Sequence, residues 1–378
     1  MISVRICSPE FDLATHWDDL VGRASPNAFM NPAALKAAHD TGFARIYMLL
    51  AWDDSVEPAR LAGLWALQAR KPFAVWPTVL EALPYNYAFL SSPVLDPAYA
   101  DQVMPAFLAA IAADPALPNV VALRSFNAES AACGALRKAL SAHRHHQLVL
   151  TEQARPIVTK EFGVKRSGST RKKLRQDWKR LAALGTVEVI NDRAPAAVEQ
   201  AFEIFLALEL GSWKGARGTA LLCDPRDAAF VRRLFKDLAL RGDASVALLR
   251  VDGRAVAAQV LMYCGTTAYT WKIGFDAEFA RYSPGTLLVD RITEELFAGP
   301  DIDAIDSCSV EASFMAQLWA GRRPMVDLLI DAGPKKSFGF ALEARRLLGY
   351  QLLRSLRDQL RAWHWIPRPR KVALASSS

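Results

Sequence analysis

The spacing of apolar and polar positions divides the first part of the chain into strands and helices. Alternation of apolar with neighbouring residues predicts strands at 2–6 and 60–70, and helical periodicity predicts helices at 31–39 and 101–113. Further extended segments are predicted at 45–52 and 119–125. Such a mixture indicates an α/β sandwich, in which helices pack on a sheet.

A second series of elements follows a crossing segment at 147–162. The next helix has Ser167 or Ser169 as its predicted cap and ends at Gly185. An Asp252-Gly253 turn predicts a β-hairpin. The predicted elements are a strand at 186–190, helices at 196–210 and 228–241, hairpin strands at 245–251 and 256–263, and strands at 267–275 and 304–309.

The chain closes with a long amphipathic helix, predicted from about Lys336 to Trp365. Its broad apolar stripe contains Leu347, Leu348, Leu352, Leu353, Leu356 and Leu360. We expect this stripe to pack on the body of the protein, and a basic helix on a membrane surface is the alternative. The composition of the tail at 367–378 predicts disorder.

Chain length and composition limit the classes of protein to which the chain can belong. A chain of 378 residues, with 52% hydrophobic and 22% charged residues, predicts a globular protein of two domains. No apolar run reaches the roughly 18 residues that span a bilayer, and the start has no apolar signal core, so we expect a cytoplasmic protein. The five cysteines are far apart, which predicts core thiols and no metal site.

The net charge of +7 is concentrated in two stretches that are suited to phosphate-bearing partners. The first stretch, 165–180, contains one acidic residue, Asp177. Its basic residues are Lys165, Arg166, Arg171, Lys172, Lys173, Arg175, Lys179 and Arg180. The second stretch, 335–371, has ten basic residues and two acidic ones. A solvated helix face is the alternative for both.

The most informative segment is the strand at 267–275 and the helix start that follows it. Ser283, Pro284, Gly285 and Thr286 open a run with apolar residues at helical spacing. The free N–H groups and the dipole of a helix start favour an anion, and glycine allows close approach. These residues predict a pyrophosphate site, with an ordinary Ser-capped helix as the alternative.

Three blocks in this order resemble a known family. They are Gly211-Ser212-Trp213-Lys214-Gly215-Ala216-Arg217-Gly218-Thr219-Ala220, Lys272-Ile273-Gly274-Phe275-Asp276 and Tyr282-Ser283-Pro284-Gly285-Thr286-Leu287-Leu288. The blocks are similar to the GNAT acyltransferase superfamily, in particular to its bacterial branch named after the cellulose-biosynthesis protein CelD. The usual Arg/Gln-x-x-Gly-x-Gly/Ala signature is reduced to Arg281 and Gly285.

The resemblance implies two GNAT-like domains in tandem, as in the related FemABX aminoacyltransferases. It places an N-terminal domain at 1–150, an acyltransferase domain at 151–334 and the amphipathic helix at 335–366. Each domain is expected to have a mixed, mostly antiparallel sheet flanked by helices. The expected co-substrate is acetyl-CoA or another acyl-CoA, held by Ile273, Gly274, Arg281, Ser283, Pro284, Gly285, Thr286 and Leu287.

Candidate catalytic residues lie in and just after the strand that precedes the helix start. Asp276 is the candidate general base, with a cap carboxylate as the alternative. Lys272 is the candidate cation for an anionic substrate group or the oxyanion. The block at 211–220 implies an acceptor site formed by Trp213, Lys214 and Arg217. Relatives often carry a Tyr-Lys pair that 314–319 lacks, which leaves the proton donor for the thiolate open.

Three functions follow as hypotheses. The leading one is N- or O-acylation of a sugar, a polysaccharide precursor or a small amine, as in exopolysaccharide or cellulose biosynthesis. A FemABX-like transferase that uses aminoacyl-tRNA is the second, because Arg171, Lys172 and Arg175 resemble the basic helix of that group. The third is a non-catalytic accessory protein that contacts a polysaccharide synthase at the membrane. Nucleic acid is otherwise not an expected partner.

Overall fold

A computed structural model describes residues 1–362 as one large sheet with helices on both faces. The strands are β1 Ile2–Cys7, β2 Ile46–Asp53, β3 Arg60–Arg70, β4 Val79–Glu81, β5 Val94–Leu95, β6 Val120–Asn127, β7 Gln147–Thr159, β8 Val187–Ile190, β9 Ala244–Val251, β10 Arg254–Cys264, β11 Thr267–Phe275, β12 Ala304–Asp306 and β13 Gly321–Asp331.

The helices cover both faces of the sheet. They are α1 Ala14–Val21, α2 Pro32–Asp40, α3 Ala100–Ala113, α4 Ala131–Ala142, α5 Ser169–Ala182, α6 Pro195–Leu210, α7 Trp213–Ala216, α8 Pro225–Leu240, α9 Pro284–Ala298, α10 Met315–Leu318 and α11 Phe338–Ala362. Short 3-10 turns join several of them, including Ala277–Tyr282 between β11 and α9.

The sheet runs through both halves of the chain in the order β1-β2-β3-β4-β6-β13-β7-β12-β11-β10-β9-β8, with β5 beside β3. Pairing is antiparallel except between β4 and β6 and between β11 and β12. The two halves exchange strands at the centre, where β13 pairs with β6 and with β7 while β7 pairs with β12. The exchange makes the sheet continuous.

Two apolar layers hold the helices against the sheet. One layer lies under α2, α3, α6 and α8 and continues through both halves, with Trp65, Phe107, Phe205 and Phe230 fully buried. The other lies under α5 and α9 on the opposite face of the C-terminal half, where Leu288 and Trp319 are buried. The C-terminal half is therefore covered on both faces.

The predicted fold class is confirmed: a mixed α/β architecture with a large, mostly antiparallel sheet, flanking helices and a C-terminal helix. The central strand β13 was not predicted. Its first half contains Arg322, Arg323 and Pro324, and proline lacks the N–H that a central strand uses. The tertiary position of this segment overrides its weak strand signal.

The expectation that the leucine stripe of α11 packs on the body is wrong for most of the stripe. Leu347 packs against the sheet through a small cluster with Phe340 and Leu329. The remaining leucines of the stripe, Leu348, Leu352, Leu353, Leu356 and Leu360, are exposed. The helix is described as far as Ala362, so the predicted end near 365 and the tail at 367–378 lie outside the described residues.

Candidate functional site

Strands β11 and β12 diverge near the middle of the C-terminal half. They run parallel and pair at three positions, from Thr267 opposite Ala304 to Tyr269 opposite Asp306. Past Tyr269, β11 continues for six residues, and no strand of the described chain pairs with that edge. The result is a wedge-shaped opening in the sheet, bordered by the outer half of β11.

A β-bulge at Trp271 sets the direction of the side chains beside this opening. Val260 pairs with Lys272 and Leu261 with Thr270, so Trp271 is the extra residue. Strict alternation would put Trp271 and Lys272 on opposite faces. Instead both approach Tyr87: the Trp271 indole donates to the Tyr87 carbonyl at 3.0 Å, and Lys272 Nζ lies 4.9 Å from the Tyr87 ring centroid.

Lys272 belongs to a buried cluster of charges around Glu209, in the last turn of α6. The Glu209 carboxylate is 1% exposed. Its Oε1 accepts from Lys214 Nζ at 2.7 Å and lies 3.8 Å from Lys272 Nζ, while Oε2 accepts from the Leu221 N–H at 3.0 Å. Burial lowers the pKa of Lys272. The cluster therefore holds two ammonium groups on one carboxylate.

Glu209 was missed by sequence reasoning, although α6 contains a signal for it. Phe202, Phe205, Leu206 and Glu209 follow the spacing i, i+3, i+4 and i+7, so the carboxylate lies on the apolar face of the helix. A carboxylate on such a face is either paired or destabilising. Its partners come from two other segments, and only the tertiary structure brings them together.

The predicted acceptor residues separate into an inner and an outer part. Lys214 points inward to Glu209, while Trp213 is 58% exposed and the Arg217 guanidinium lies 4.9 Å from its ring centroid. Gly215 is required here, because a Cβ would lie 1.7 Å from the Leu210 carbonyl oxygen. The close approach of the loop to the end of α6 places Lys214 beside Glu209.

The N-terminal half contributes Tyr87 to the same region. The Tyr87 hydroxyl donates to Asp227 of α8, and burial together with this hydrogen bond raises the pKa of Tyr87 well above its ordinary value. The ring also stacks on Phe43, with centroids 5.9 Å apart. Residues from both halves therefore surround Lys272.

A fully buried carboxylate fixes the strands where the opening begins. Asp306 at the end of β12 accepts from Arg323 of β13 at 2.8 Å and lies 3.4 Å from Arg155 of β7. Its other contact is the Cys308 N–H, at 2.8 Å. Arg155 also donates to the Phe89 carbonyl at 2.6 Å. This network ties the central strands to the loop that contains Tyr87.

The start of α9 lies on the opposite face of the sheet. Ser283 adopts the left-handed conformation, with φ 52° and ψ 46°, and its carbonyl accepts from the N–H groups of Thr286 and Leu287. Pro284 has no N–H, which leaves the Gly285 N–H as the free amide of the first turn in the described chain. Gly285 itself is buried against Ile273.

Cationic side chains surround this helix start. Lys173 of α5 donates to Ser283 Oγ at 2.8 Å and also pairs with the buried Asp177, which lies 3.7 Å from Arg180; the Lys173 side chain is 62% exposed. Arg281 is exposed beside the Tyr282 ring, at 4.8 Å from the centroid, and Arg180 lies 5.6 Å from the same centroid. One free amide and three cations are a donor set that fits an anionic group.

Asp276 lies just after β11, away from the Lys272 cluster. Its carboxylate accepts from the Glu278 N–H at 3.0 Å, which caps the 3-10 turn, and it pairs with Arg254. Arg254 also contacts Glu278 at 2.7 Å. The two predicted catalytic residues thus share no contact, although Gly274 between them packs on the last turn of α6.

A groove between α5 and α9 runs along α9 from Leu287 to Ala298 and has more basic than acidic side chains in its lining. Its volume is about 740 Å³, and Leu287 is the one predicted cofactor residue that lines it. Apolar lining comes from Leu174, Trp178 and Phe297. The basic lining residues are Lys160, Arg166, Arg171, Arg175, Lys179 and Arg291. Arg171 pairs with Asp290, so its charge is largely compensated inside the fold.

Residues 307–320, which follow β12, contain no tyrosine. Met315 accepts a weak hydrogen bond from the Thr270 hydroxyl at 3.6 Å, and Leu318 and Trp319 are buried beneath α5. In residues 1–362 no three potential metal ligands form a cluster. Across the same residues no helix is long and apolar enough to span a bilayer.

The comparisons with known proteins agree with this geometry. Residues 168–309 match the family described as acetyltransferase (GNAT) domain. This segment therefore resembles a GNAT-type acetyltransferase domain. It includes the three blocks, the diverging strands and both predicted catalytic residues, Lys272 and Asp276. Curated proteins gave no match to the chain.

Solved structures share the fold over most of the chain. FemX matches with a TM-score of 0.58 at 13% identity, over 86% of this chain and 96% of its own. A conserved protein of unknown function from Bacteroides thetaiotaomicron matches with 0.54 at 13% identity, over 87% and 99%. A C-terminal DUF2156 domain from Agrobacterium fabrum matches with 0.52 at 16% identity, over 87% and 93%. At these identities the likeness concerns the fold alone.

Proposed function

We propose that the protein transfers an acyl group from an acyl-CoA, with acetyl-CoA as the first candidate, to an amine or hydroxyl acceptor. The observation that carries the proposal is the divergence of β11 and β12 after Tyr269, inside the segment that matches the GNAT domain. The opening gives a thioester access to the free edge of β11. It also separates a donor face from an acceptor face.

The donor side is assigned to the start of α9. The Gly285 N–H, the Lys173 ammonium and the Arg281 guanidinium are suited to the pyrophosphate of CoA. Ser283 and Thr286 border this position, while Ile273, Gly274, Pro284 and Leu287 shape the strand and helix beneath it. CoA supplies the activated thioester, and the protein supplies binding and orientation.

The acceptor side is assigned to the region around Lys272. The Lys272 ammonium stabilises negative charge that develops on the carbonyl oxygen or that the acceptor carries, because a cation in a partly buried site is more effective than one in water. Trp213 and Arg217 form an exposed aromatic and cationic rim, which suits a sugar or another polar acceptor. A polysaccharide precursor belongs to this class.

The binding of the donor is tested first. Isothermal titration with CoA is expected to show one site, and release of the thiol from acetyl-CoA is expected to rise when a suitable sugar or amine is added. The panel should include amino sugars, neutral sugars and small polyamines. If CoA does not bind at millimolar concentration, the acyl-CoA proposal fails whatever the acceptor.

The role of Asp276 as general base is a separate part of the proposal. Asp276→Asn should lower kcat by 10²-fold or more, on the order expected for a lost general base, and leave CoA binding unchanged. Glu278→Gln is the matched control, because Glu278 contacts the same Arg254 and is 71% exposed. Equal losses in both variants would mean that the ion pair matters and the base does not.

An aminoacyl-tRNA donor is the second candidate, supported by the basic face of α5. Lys172, Arg175 and Lys179 are exposed. Lys172→Glu with Arg175→Glu should leave the fold intact, whereas Arg171→Glu would disrupt the pair with Asp290. If tRNA is the donor, the double variant should reduce the salt-dependent binding of tRNA at least tenfold. Binding that does not change excludes this donor.

A further inference from the structure

Helix α11 has two apolar faces, and one of them lies in solvent. Phe340, Ala344 and Leu347 pack on the sheet, and Gln351 donates to the Leu150 carbonyl at 2.6 Å. At 3.6 residues per turn, Leu352, Leu356, Leu360 and Leu353 fall within about 100° of one another on the side turned away from those residues. The second face therefore cannot be satisfied by the body of the protein.

Exposed apolar side chains are concentrated on α11. Seven of the twenty exposed large apolar residues in the described chain lie on α11. Leu352 is 62% exposed and Leu353 67%, and every residue from Leu352 to Leu360 is exposed. Contiguous exposed leucines of this kind are typical of an interaction surface, because exposing apolar side chains to water is unfavourable.

The charges on α11 indicate what kind of surface the leucine face contacts. Arg345 lies on the leucine side of the helix and Arg357 beside it, both exposed, and Asp358 is the one acidic residue from 345 to 362. Two copies that pair through this face would bring arginines together with few carboxylates to compensate them. A surface of phosphate-bearing headgroups above acyl chains complements both the leucines and the arginines.

We propose that the outer half of α11, residues 348–362, lies on an anionic lipid surface with its leucine face in the boundary between headgroups and acyl chains. The arginines beside that face contact lipid phosphates. The sequence after Ala362 adds Trp363, Trp365, Arg368 and Arg370, residue types that favour this boundary. The face would hold the transferase at a membrane, and the inference does not depend on the identity of its substrates.

Vesicle flotation of the full chain tests the proposal. The protein is expected to float with vesicles of phosphatidylcholine that contain phosphatidylglycerol, and to bind vesicles of phosphatidylcholine alone much more weakly. Leu352→Asp with Leu356→Asp should reduce binding by roughly tenfold or more. Both leucines are exposed, so thermal unfolding of this variant should match that of the parent.

Matched control variants test whether vesicle binding depends on the leucine face of α11 or on any exposed apolar residue. Leu240→Asp changes a leucine that is 65% exposed on another helix, and it should leave flotation unchanged. Arg345→Glu with Arg357→Glu should weaken binding to anionic vesicles and reduce its salt dependence. Equal binding of the leucine variant and the parent overturns the proposal. So does a dimer in lipid-free solution that the leucine variant converts to monomer.

Discussion

The two faces of strand β11 carry different kinds of chemistry. On the face toward α9, the predicted pyrophosphate site is an exposed group of cations around one free amide, near Ser283 and Gly285. On the face toward α6, Lys272 and Lys214 share the buried carboxylate of Glu209. On the first face Lys173 and Arg180 share the buried Asp177 carboxylate but keep largely exposed side chains, while on the second face both ammonium groups are mostly buried.

The difference in burial predicts which of these charged side chains contribute to the free energy of unfolding. A cation in water contributes little to stability and keeps its charge for a ligand. A buried carboxylate with two ammonium partners is costly to separate, since each group left alone would be desolvated without compensation. We therefore expect changes on the α6 face to affect stability and activity together, and a change of the exposed Arg281 on the α9 face to affect binding alone.

The largest effect is expected from Glu209→Ala. Removing the carboxylate leaves Lys214 and Lys272 without their common partner and frees the Leu221 N–H, so the free energy of unfolding should fall by about 3–5 kcal/mol. Glu203→Ala on the same helix breaks an exposed pair with Arg232 and should cost about 1 kcal/mol or less. Urea unfolding measures both, and equal losses would remove the distinction between the faces.

The next effect concerns Lys272 and pH. Its pKa is lowered by burial from the ordinary 10.5, so the ammonium is lost at a lower pH in the folded protein than in the unfolded chain. If the cation stabilises the oxyanion, kcat/KM should fall as pH rises through this lowered pKa. Lys272→Arg should remove this alkaline limb, because arginine keeps its proton, and Lys272→Met should lower kcat by about 10²-fold.

The lowered pKa of Lys272 also makes the free energy of unfolding depend on pH. Between the lowered pKa of Lys272 and 10.5, the unfolded chain binds one more proton at this residue than the folded protein does. The contribution of Lys272 to the free energy of unfolding therefore rises with pH across that window. Urea unfolding of the parent and of Lys272→Met over this range should show a slope difference of that sign.

A smaller effect is expected at the start of α9. Lys173→Ser and Arg281→Ser should each weaken CoA binding by roughly tenfold, the scale of a charge-assisted hydrogen bond. Arg281→Ser should leave thermal stability unchanged, whereas Lys173→Ser also removes a partner of the buried Asp177 and should lower it. Lys172→Ser is the matched control, one residue away and exposed. Isothermal titration that finds no difference between Lys173→Ser and Lys172→Ser would place the pyrophosphate elsewhere.

The smallest effect is expected from Gly285→Ala. A Cβ at Gly285 would lie 3.4 Å from Ile273 Cδ1 and 3.6 Å from Phe275 Cδ1, which is ordinary contact, so stability should stay level or rise by up to about 1 kcal/mol. Its affinity for CoA should not change, because the N–H remains. Gly215→Ala is the opposite control and should unfold its loop. Loss of CoA binding in Gly285→Ala with a stable fold would show that the bare glycine surface itself contacts the ligand.

Much of this architecture could be predicted because it is encoded locally. The alternation in 60–70 and 267–275 and the helical spacing in 196–210 depend on residues that are near one another in sequence, and the strands and helix form there. The three blocks were sufficient to predict the GNAT segment. Strand β13 escaped prediction because Arg322, Arg323 and Pro324 weaken the local signal.

Local sequence patterns were enough to predict most helices and strands, the GNAT-like order of the blocks and the start of α9, since each depends on short-range spacing. Which side chains meet depends on how distant segments pack. The bulge at Trp271 turned Lys272 toward Glu209, and the sheet took one face of α11 and left Leu352 and Leu356 in solvent. Contacts between distant segments depend on register and packing, which no local pattern encodes.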